Sequence, residues 1–158
     1  MDYHLAQFNI ARMLDEIDTP LMAEFVANLD RLNGLAEQSS GFVWRLKSDD
    51  SDDSTSIRIY DDHYLIVNMS VWETIEALHE FTYYSAHTDI YRRRREWFEK
   101  PEVPILVLWW IPAGHTPTAA EGKVKLEYLQ QHGVTPEAFT FKQRFTVEEW
   151  LAEREKVE

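Results

Sequence analysis

Seven consecutive residues, Ile105 to Ile111 (ILVLWWI), are apolar at every position, with Pro104 before them and Pro112 after. A run this short, rich in branched and aromatic side chains, reads as a β-strand. Successive strand residues point to opposite faces of a sheet, so this strand has to be dry on both sides. Trp109 and Trp110 fall on different faces. Any fold for this chain must therefore supply two covers.

The neighbouring segments supply one of them. Tyr3 to Ile10 alternates in the manner of a strand. Asp18-Thr19-Pro20 then predicts a helix start, with a capping side chain followed by proline at the first helical position. Met22, Phe25, Val26, Leu29, Leu32 and Ala36 recur every three or four residues, which predicts a helix with one buried face, ending near Ser39-Ser40-Gly41. Gly41 to Lys47 sets Phe42, Trp44 and Leu46 against Val43, Arg45 and Lys47, a half-buried strand pattern. Residues 48–56 (SDDSDDSTS) read as a solvated acidic loop, since a calcium loop would need glycine at its sixth position and glutamate at its twelfth.

Ile57 to Tyr60 and Tyr64 to Trp72 predict a hairpin around Asp61-Asp62-His63. A second helix begins at Thr74 and places Ile75, Leu78 and Thr82 or Ala86 on one face. Beyond the ILVLWWI strand, one helix is expected from about Thr118 to Gln131, stopped by His132-Gly133, and a short one over Val147 to Lys156.

The order β-α-β-β-α-β is the ferredoxin-like arrangement, an α+β fold with one antiparallel sheet and its helices on a single face. One domain would span 1–158, with a core over about 3–112 and a C-terminal extension over 113–158. Helices on one face leave the other face of ILVLWWI bare to water. A second sheet, packed face to face from another copy of the chain, is the simplest cover. A homodimer is therefore expected.

Charge and composition narrow the partners. A net charge of -12 opposes non-specific binding to nucleic acid or an anionic membrane. With no cysteine there are no disulfides, thiolate metal sites or cysteine nucleophiles. The start of the chain has no basic segment followed by an apolar run, and no apolar run approaches the roughly 20 residues that span a bilayer. A soluble, cytoplasmic protein is the expectation.

Polar residues at strand positions otherwise flanked by apolar ones mark a candidate cleft. Gln7 and Asn9 interrupt the first strand, Arg45 the second, and Asn68 and Ser70 the third, and Asn9, Arg45, Asn68 and Ser70 would line the cleft. Buried polar groups need hydrogen-bond partners; a ligand cleft and ordinary dimer contacts both provide them. His87 can act as a general base or ligate haem iron, or it can be a helix-end histidine bonded to a carbonyl. At about 100° per residue a straight helix would turn His87 away from the face of Ile75 and Leu78. The helix therefore has to break near Tyr84-Ser85-Ala86 for His87 to meet a cavity.

Four consecutive arginines, Arg92 to Arg95, cover about 300° of arc and cannot share a face. Arg93 and Arg94 flank the direction of Ile90 and Trp97 and are the expected inward members. An inward arginine can clamp a carboxylate or pair with one of the chain's 28 acids. His4, His63, His79, His115 and His132 lack metal-ligand spacing, and no P-loop, GxGxxG or nucleophile elbow is present. No metal site is therefore expected, other than His87 if haem is bound.

SVWETIEALHEF followed by SAH resembles the dimeric α/β-barrel superfamily, which includes antibiotic-biosynthesis-type and haem-degrading monooxygenases. YHLAQFNIARM, GFVWRL, SVWETIEAL, YYSAH, RRRREWF, VLWWIPAGHTPT and TPEAFTFKQRF together resemble the uncharacterised domain-of-unknown-function family 3291 over nearly the whole chain. Many monooxygenase-type members carry a further histidine on the helix, where this chain has Phe81.

The resemblance implies a small oxygenase acting on an aromatic or hydrophobic molecule, with no cofactor or with haem. Taken with the polar strand positions, the arginine run and the tryptophans, this makes His87, Arg94 and Asn68 the catalytic candidates, with Asn9, Trp44, Arg45, Ser70, Trp72 and Trp109 around the ligand. Trp44, Trp72 and Trp109 would stack on an aromatic substrate or belong to the core. A non-catalytic dimeric binding or structural domain is the alternative.

Overall fold

The computed structural model describes residues 2–49, 52–85 and 87–157. Four strands, β1 (Tyr3–Arg12), β2 (Phe42–Arg45), β3 (Leu65–Trp72) and β4 (Leu106–Pro112), form one antiparallel sheet in the order β2-β3-β1-β4. The helices are α1 (Ala23–Glu37), α2 (Ile75–Tyr84), α3 (His87–Arg92), α4 (Ala119–His132) and α5 (Val147–Val157). The topology is ferredoxin-like and α+β, as the element order predicts.

Local chemistry sets several boundaries. Thr74 Oγ1 accepts from Ala77 N and Thr118 Oγ1 from Glu121 N, both at 3.1 Å, which starts α2 and α4. Gly133 ends α4 at φ 75°, a left-handed angle that side chains with a Cβ rarely adopt. Thr19 is not a side-chain cap: its hydroxyl donates to the Glu16 carbonyl at 2.8 Å. The chain enters α1 through a 3-10 turn over Pro20–Met22 instead.

Three local expectations are corrected. Val26 is exposed, so the buried stripe of α1 is narrower than its spacing suggests. Ile57 to Tyr60 is not a strand. Ile57, Ile59 and Tyr60 instead pack, partly buried, against the apolar cluster on one face of the sheet. A bulge between Phe42 and Trp44 puts Phe42 opposite Trp72 and Trp44 opposite Val71, so these two rings lie on opposite faces. The expected acidic loop includes residues 50–51, and the expected face of the second helix offered Ala86 as one member; these positions lie outside the described residues.

The two faces of the sheet differ in composition. On the near face, strand register aligns Leu5 with Trp72 and Trp110, Gln7 with Ser70 and Leu108, Asn9 with Asn68 and Leu106, and Ala11 with Ile66. The sequence along this face is apolar, polar, polar, apolar. Its core is accordingly split in two. One cluster holds Leu5, Trp72, Ile75, Leu78, Leu108, Trp110, Phe139 and Trp150; the other holds Met13, Met22, Leu32, Ile66, Ile90 and Trp97.

The far face is apolar between its ends at His4 and Arg12, with Ala6, Phe8 and Ile10 beside Val67, Met69 and Val71 and beside Val107, Trp109 and Ile111. Leu126 and Leu129 of α4 complete this single cluster. Gly122 is the reason α4 can sit so close. A Cβ at that position would fall 2.4 Å from Phe8 Cδ2. Glycine costs a helix interior about 1 kcal/mol relative to alanine, and here it is what allows the helix to dock on the sheet.

Helices therefore cover both faces, which corrects the expectation of a single helical layer. The bare face that motivated a second sheet is filled from within the chain, and Trp109 is 1% exposed there.

Candidate functional site

The polar strip of the near face opens into a cavity of about 980 Å³ between the sheet and α1 and α3. Asn9, Asn68, Ser70, Arg45, Trp72, His87 and Arg94 all line it, as do Phe25, Leu29, Leu32, Phe81, Ile90 and Tyr91. Seven of the nine residues singled out in the sequence thus meet at one place. Trp44 and Trp109 do not. Both pack into the far-face cluster, Trp44 because of the bulge and Trp109 by strand alternation, with Trp109 Nε1 donating to Glu121 Oε2 at 3.3 Å.

His87 reaches the cavity because the helix breaks. Ser85, in extended conformation at φ -127°, ψ -175°, ends α2. Its hydroxyl donates to the Phe81 carbonyl and accepts from His87 N at 3.1 Å, so one side chain closes α2 and ties down the start of α3. The imidazole is half-buried against the rings of Phe81 and Tyr91, with centroids 5.0 and 6.4 Å away.

Nδ1 lies 3.2 Å from the Thr82 carbonyl, which can only accept, so Nδ1 carries the proton. Among the described residues, none hydrogen-bonds Nε2. Burial pushes the His87 pKa below the ordinary histidine value, with the Thr82 carbonyl opposing that shift. A neutral ring with a free Nε2 lone pair is a proton acceptor at neutral pH.

Gln7 is the residue that the sequence did not single out for the site. Buried under the strip, its Nε2 donates to Asn68 Oδ1 at 2.8 Å and to Ser70 Oγ at 2.9 Å. Trp72 Nε1 also donates to Ser70 Oγ, at 2.8 Å. With its oxygen held by Gln7, Asn68 has Nδ2 hydrogens with no partner among the described residues, available to the cavity. Asn9, directly opposite Asn68 in the register, adds a second amide. Gln7 was visible in the sequence as a polar break in an apolar strand; its partners depend on cross-strand register.

The arginines have separate roles. Arg45 lines the cavity but is already neutralised: its Nη2 is 2.9 Å from Glu37 and 2.8 Å from Asp52, and its side chain is only 5% exposed. Arg93 and Arg94 are the two half-buried members of the run, but α3 ends at Arg92 and a 3-10 turn covers Arg94–Glu96, so only Arg94 turns inward as expected. Arg93 turns to the surface of α1, pairs with Glu24 and Glu96, and lies over the Trp97 ring. Arg94 faces the cavity.

Among the described residues, no group of three or more His, Cys, Asp or Glu side chains is placed to hold a metal ion. For haem the donor chemistry fits at one point, His87, whose Nδ1 is anchored to a carbonyl and whose Nε2 is free. No described helix is long and apolar enough to cross a membrane.

Among solved structures, the chain is similar to a variant of SnoaB, a cofactor-independent oxygenase from Streptomyces nogalater. Identity is 15% over 73% of this chain and 97% of that one, with a TM-score of 0.46. A protein of unknown function from Nitrosomonas europaea is similar at 13% identity, over 74% and 97% of the two chains, with a TM-score of 0.48. A candidate antibiotic biosynthesis monooxygenase from the same organism is similar at 15% identity, over 75% and 97%, with a TM-score of 0.44. No curated protein matches the chain. The family described as "Domain of unknown function (DUF3291)" matches residues 4–155, and the chain belongs to it.

Proposed function

We propose that this chain binds a small aromatic or hydrophobic molecule in the near-face cavity, and that His87 Nε2 takes a proton from it as the first step of an oxygenase-type reaction. The observation that carries this reading is the pairing of a free, neutral imidazole with an apolar cavity of about 980 Å³. Phe25, Leu29, Leu32, Phe81, Ile90 and Trp72 provide apolar contact for a ring system. Removing a proton from a bound phenol or activated C–H leaves an electron-rich anion, the species able to reduce dioxygen. The amides of Asn68 and Asn9 can donate to its oxygen, stabilising charge where it develops. If two copies of the chain associate, they do so outside the α4-covered face.

Calorimetric titration with 2-naphthol tests both parts. Saturable binding is expected in the parent protein and a strong loss in Leu29→Trp, which fills the cavity. Bound naphthol should ionise more readily than free naphthol, seen by naphtholate absorbance, and this shift should vanish in His87→Ala while binding persists. Binding that ignores Leu29→Trp refutes the cavity, and ionisation that survives His87→Ala refutes the base.

The Nε2 without a partner among the described residues also favours a second reading, haem binding, in which His87 would hold the iron and haem would supply the redox chemistry. A Soret shift on adding haemin that disappears in His87→Ala would support it. No shift, or the same shift in the variant, would sink it.

A further inference from the structure

The cavity is a positive locus in an acidic protein. Arg12, Arg45, Arg94, Arg95 and Lys100 line it against only Asp53, Glu99 and Glu102, whereas the whole chain carries -12. Arg12 is held by Asp62 and Glu99, and Arg45 by Glu37 and Asp52. Among the described residues, no carboxylate forms an ion pair with Arg94.

Arg94 is nonetheless fixed in place. Its Nη1 donates to the Tyr91 carbonyl at 2.9 Å, and its Cζ sits 4.1 Å from the centre of the Tyr91 ring. One edge of the guanidinium is thus used for positioning. The Nε–Nη2 edge has no hydrogen-bond partner among the described residues. Two parallel N–H groups on a planar fork match the two oxygens of a carboxylate. A stacked arginine has already lost much of its side-chain freedom, so less is lost when an anion binds. Arg95 and Lys100, both exposed at the rim, add positive potential at the entrance.

We infer that the ligand is an amphipathic acid, with its apolar body among Phe25, Leu29, Leu32 and Ile90 and its carboxylate clamped by the free edge of Arg94. This rests on the cavity reading above and adds an anionic group to it. Within that arrangement Arg94 is a binding residue, and Arg95 and Lys100 attract the ligand without orienting it.

Matched probes separate the two ideas: 2-naphthoate and its methyl ester, which share the ring and differ in charge. The parent protein should bind 2-naphthoate at least about tenfold more tightly than the ester, the usual range for a charge-assisted hydrogen-bond pair. Arg94→Gln should remove that preference and leave ester affinity unchanged, whereas Arg92→Gln, on the exposed side, should preserve it. If Arg94→Gln does not fold, Arg94→Lys carries the test. It keeps the charge and loses the fork, so the preference should fall several-fold. Equal binding of acid and ester by the parent protein, or a preference that survives loss of the Arg94 fork, overturns the clamp while leaving the cavity reading intact. Failure of both probes to bind overturns both.

Discussion

The two faces of this sheet are built from the same three long strands, and they are put to opposite uses. On the far face the central residues are all apolar, and α4 approaches closely enough that Gly122 touches Phe8. Phe8, Met69, Val107 and Leu126 are all fully shielded there. Burial at the margin of this face pushes the Tyr60 phenol up to about 12, with a smaller contribution from the negative charge of Glu127. On the near face Gln7, Asn9, Asn68 and Ser70 interrupt the apolar pattern, the core splits in two, and the gap between the halves is the cavity. Two adjacent polar rows decide the difference. Polar side chains cannot be sealed under an apolar helix without partners, so the layer above them stands off.

The largest expected contrast is between two leucine truncations. Leu126→Ala should cost about 3–5 kcal/mol, because α4 cannot collapse onto the space left in a close-packed layer. Leu29→Ala borders a cavity already and should cost only about 1 kcal/mol. Similar losses in urea unfolding would remove the distinction between a tight face and a loose one.

Gly122→Val sharpens the same point. Overpacking against a buried Phe8 should cost about 1–3 kcal/mol or more. Gly122→Ala should be less damaging in a Phe8→Ala background than in the parent chain, since the clash partner is gone. Additive effects in that double-mutant cycle would mean that Gly122 is not there for close approach.

Gln7→Leu should cost about 1–3 kcal/mol by leaving Asn68 Oδ1 without its donor and Ser70 Oγ with only that of Trp72. It should also weaken binding of 2-naphthol, whereas a purely structural role predicts a stability change alone.

The smallest effect is a pH dependence. His87 has a folded-state pKa below its ordinary value because burial disfavours the charged ring. As pH falls through the ordinary histidine range, near about 6.5, the unfolded chain takes up a proton that the folded chain does not. His87 should therefore subtract stability as the solution is acidified from neutral, until the folded-state pKa is reached. In His87→Asn this part of the pH profile should be flatter. A profile unchanged by the substitution would show the ring to be solvated.

Much of the site was legible from polar residues in the wrong company. Asn9, Arg45, Asn68 and Ser70 stand out because they break strand alternation, and His87 because helical geometry required a break that Ser85 supplies. Trp44 was misplaced because a bulge has no mark in the local pattern: Phe42 and Trp44 are two residues apart, the spacing that normally keeps side chains together. Gln7 escaped as a site residue because its role consists of contacts across the sheet, more than 60 residues away in the chain.

The sequence by itself determined the four strands of the sheet, though it also proposed one at Ile57 to Tyr60 that does not form, together with most of the helices, their order, the need to dry both faces of ILVLWWI, and the polar strip. Each follows from short-range periodicity and from the chemistry of single residues. Only the tertiary structure decided what covers the far face. A second copy and the chain's own α4 satisfy the same hydrophobic requirement, and burial does not depend on which chain supplies the apolar surface. The choice rests on Gly122 meeting Phe8, a fit between residues 114 positions apart that no local pattern records.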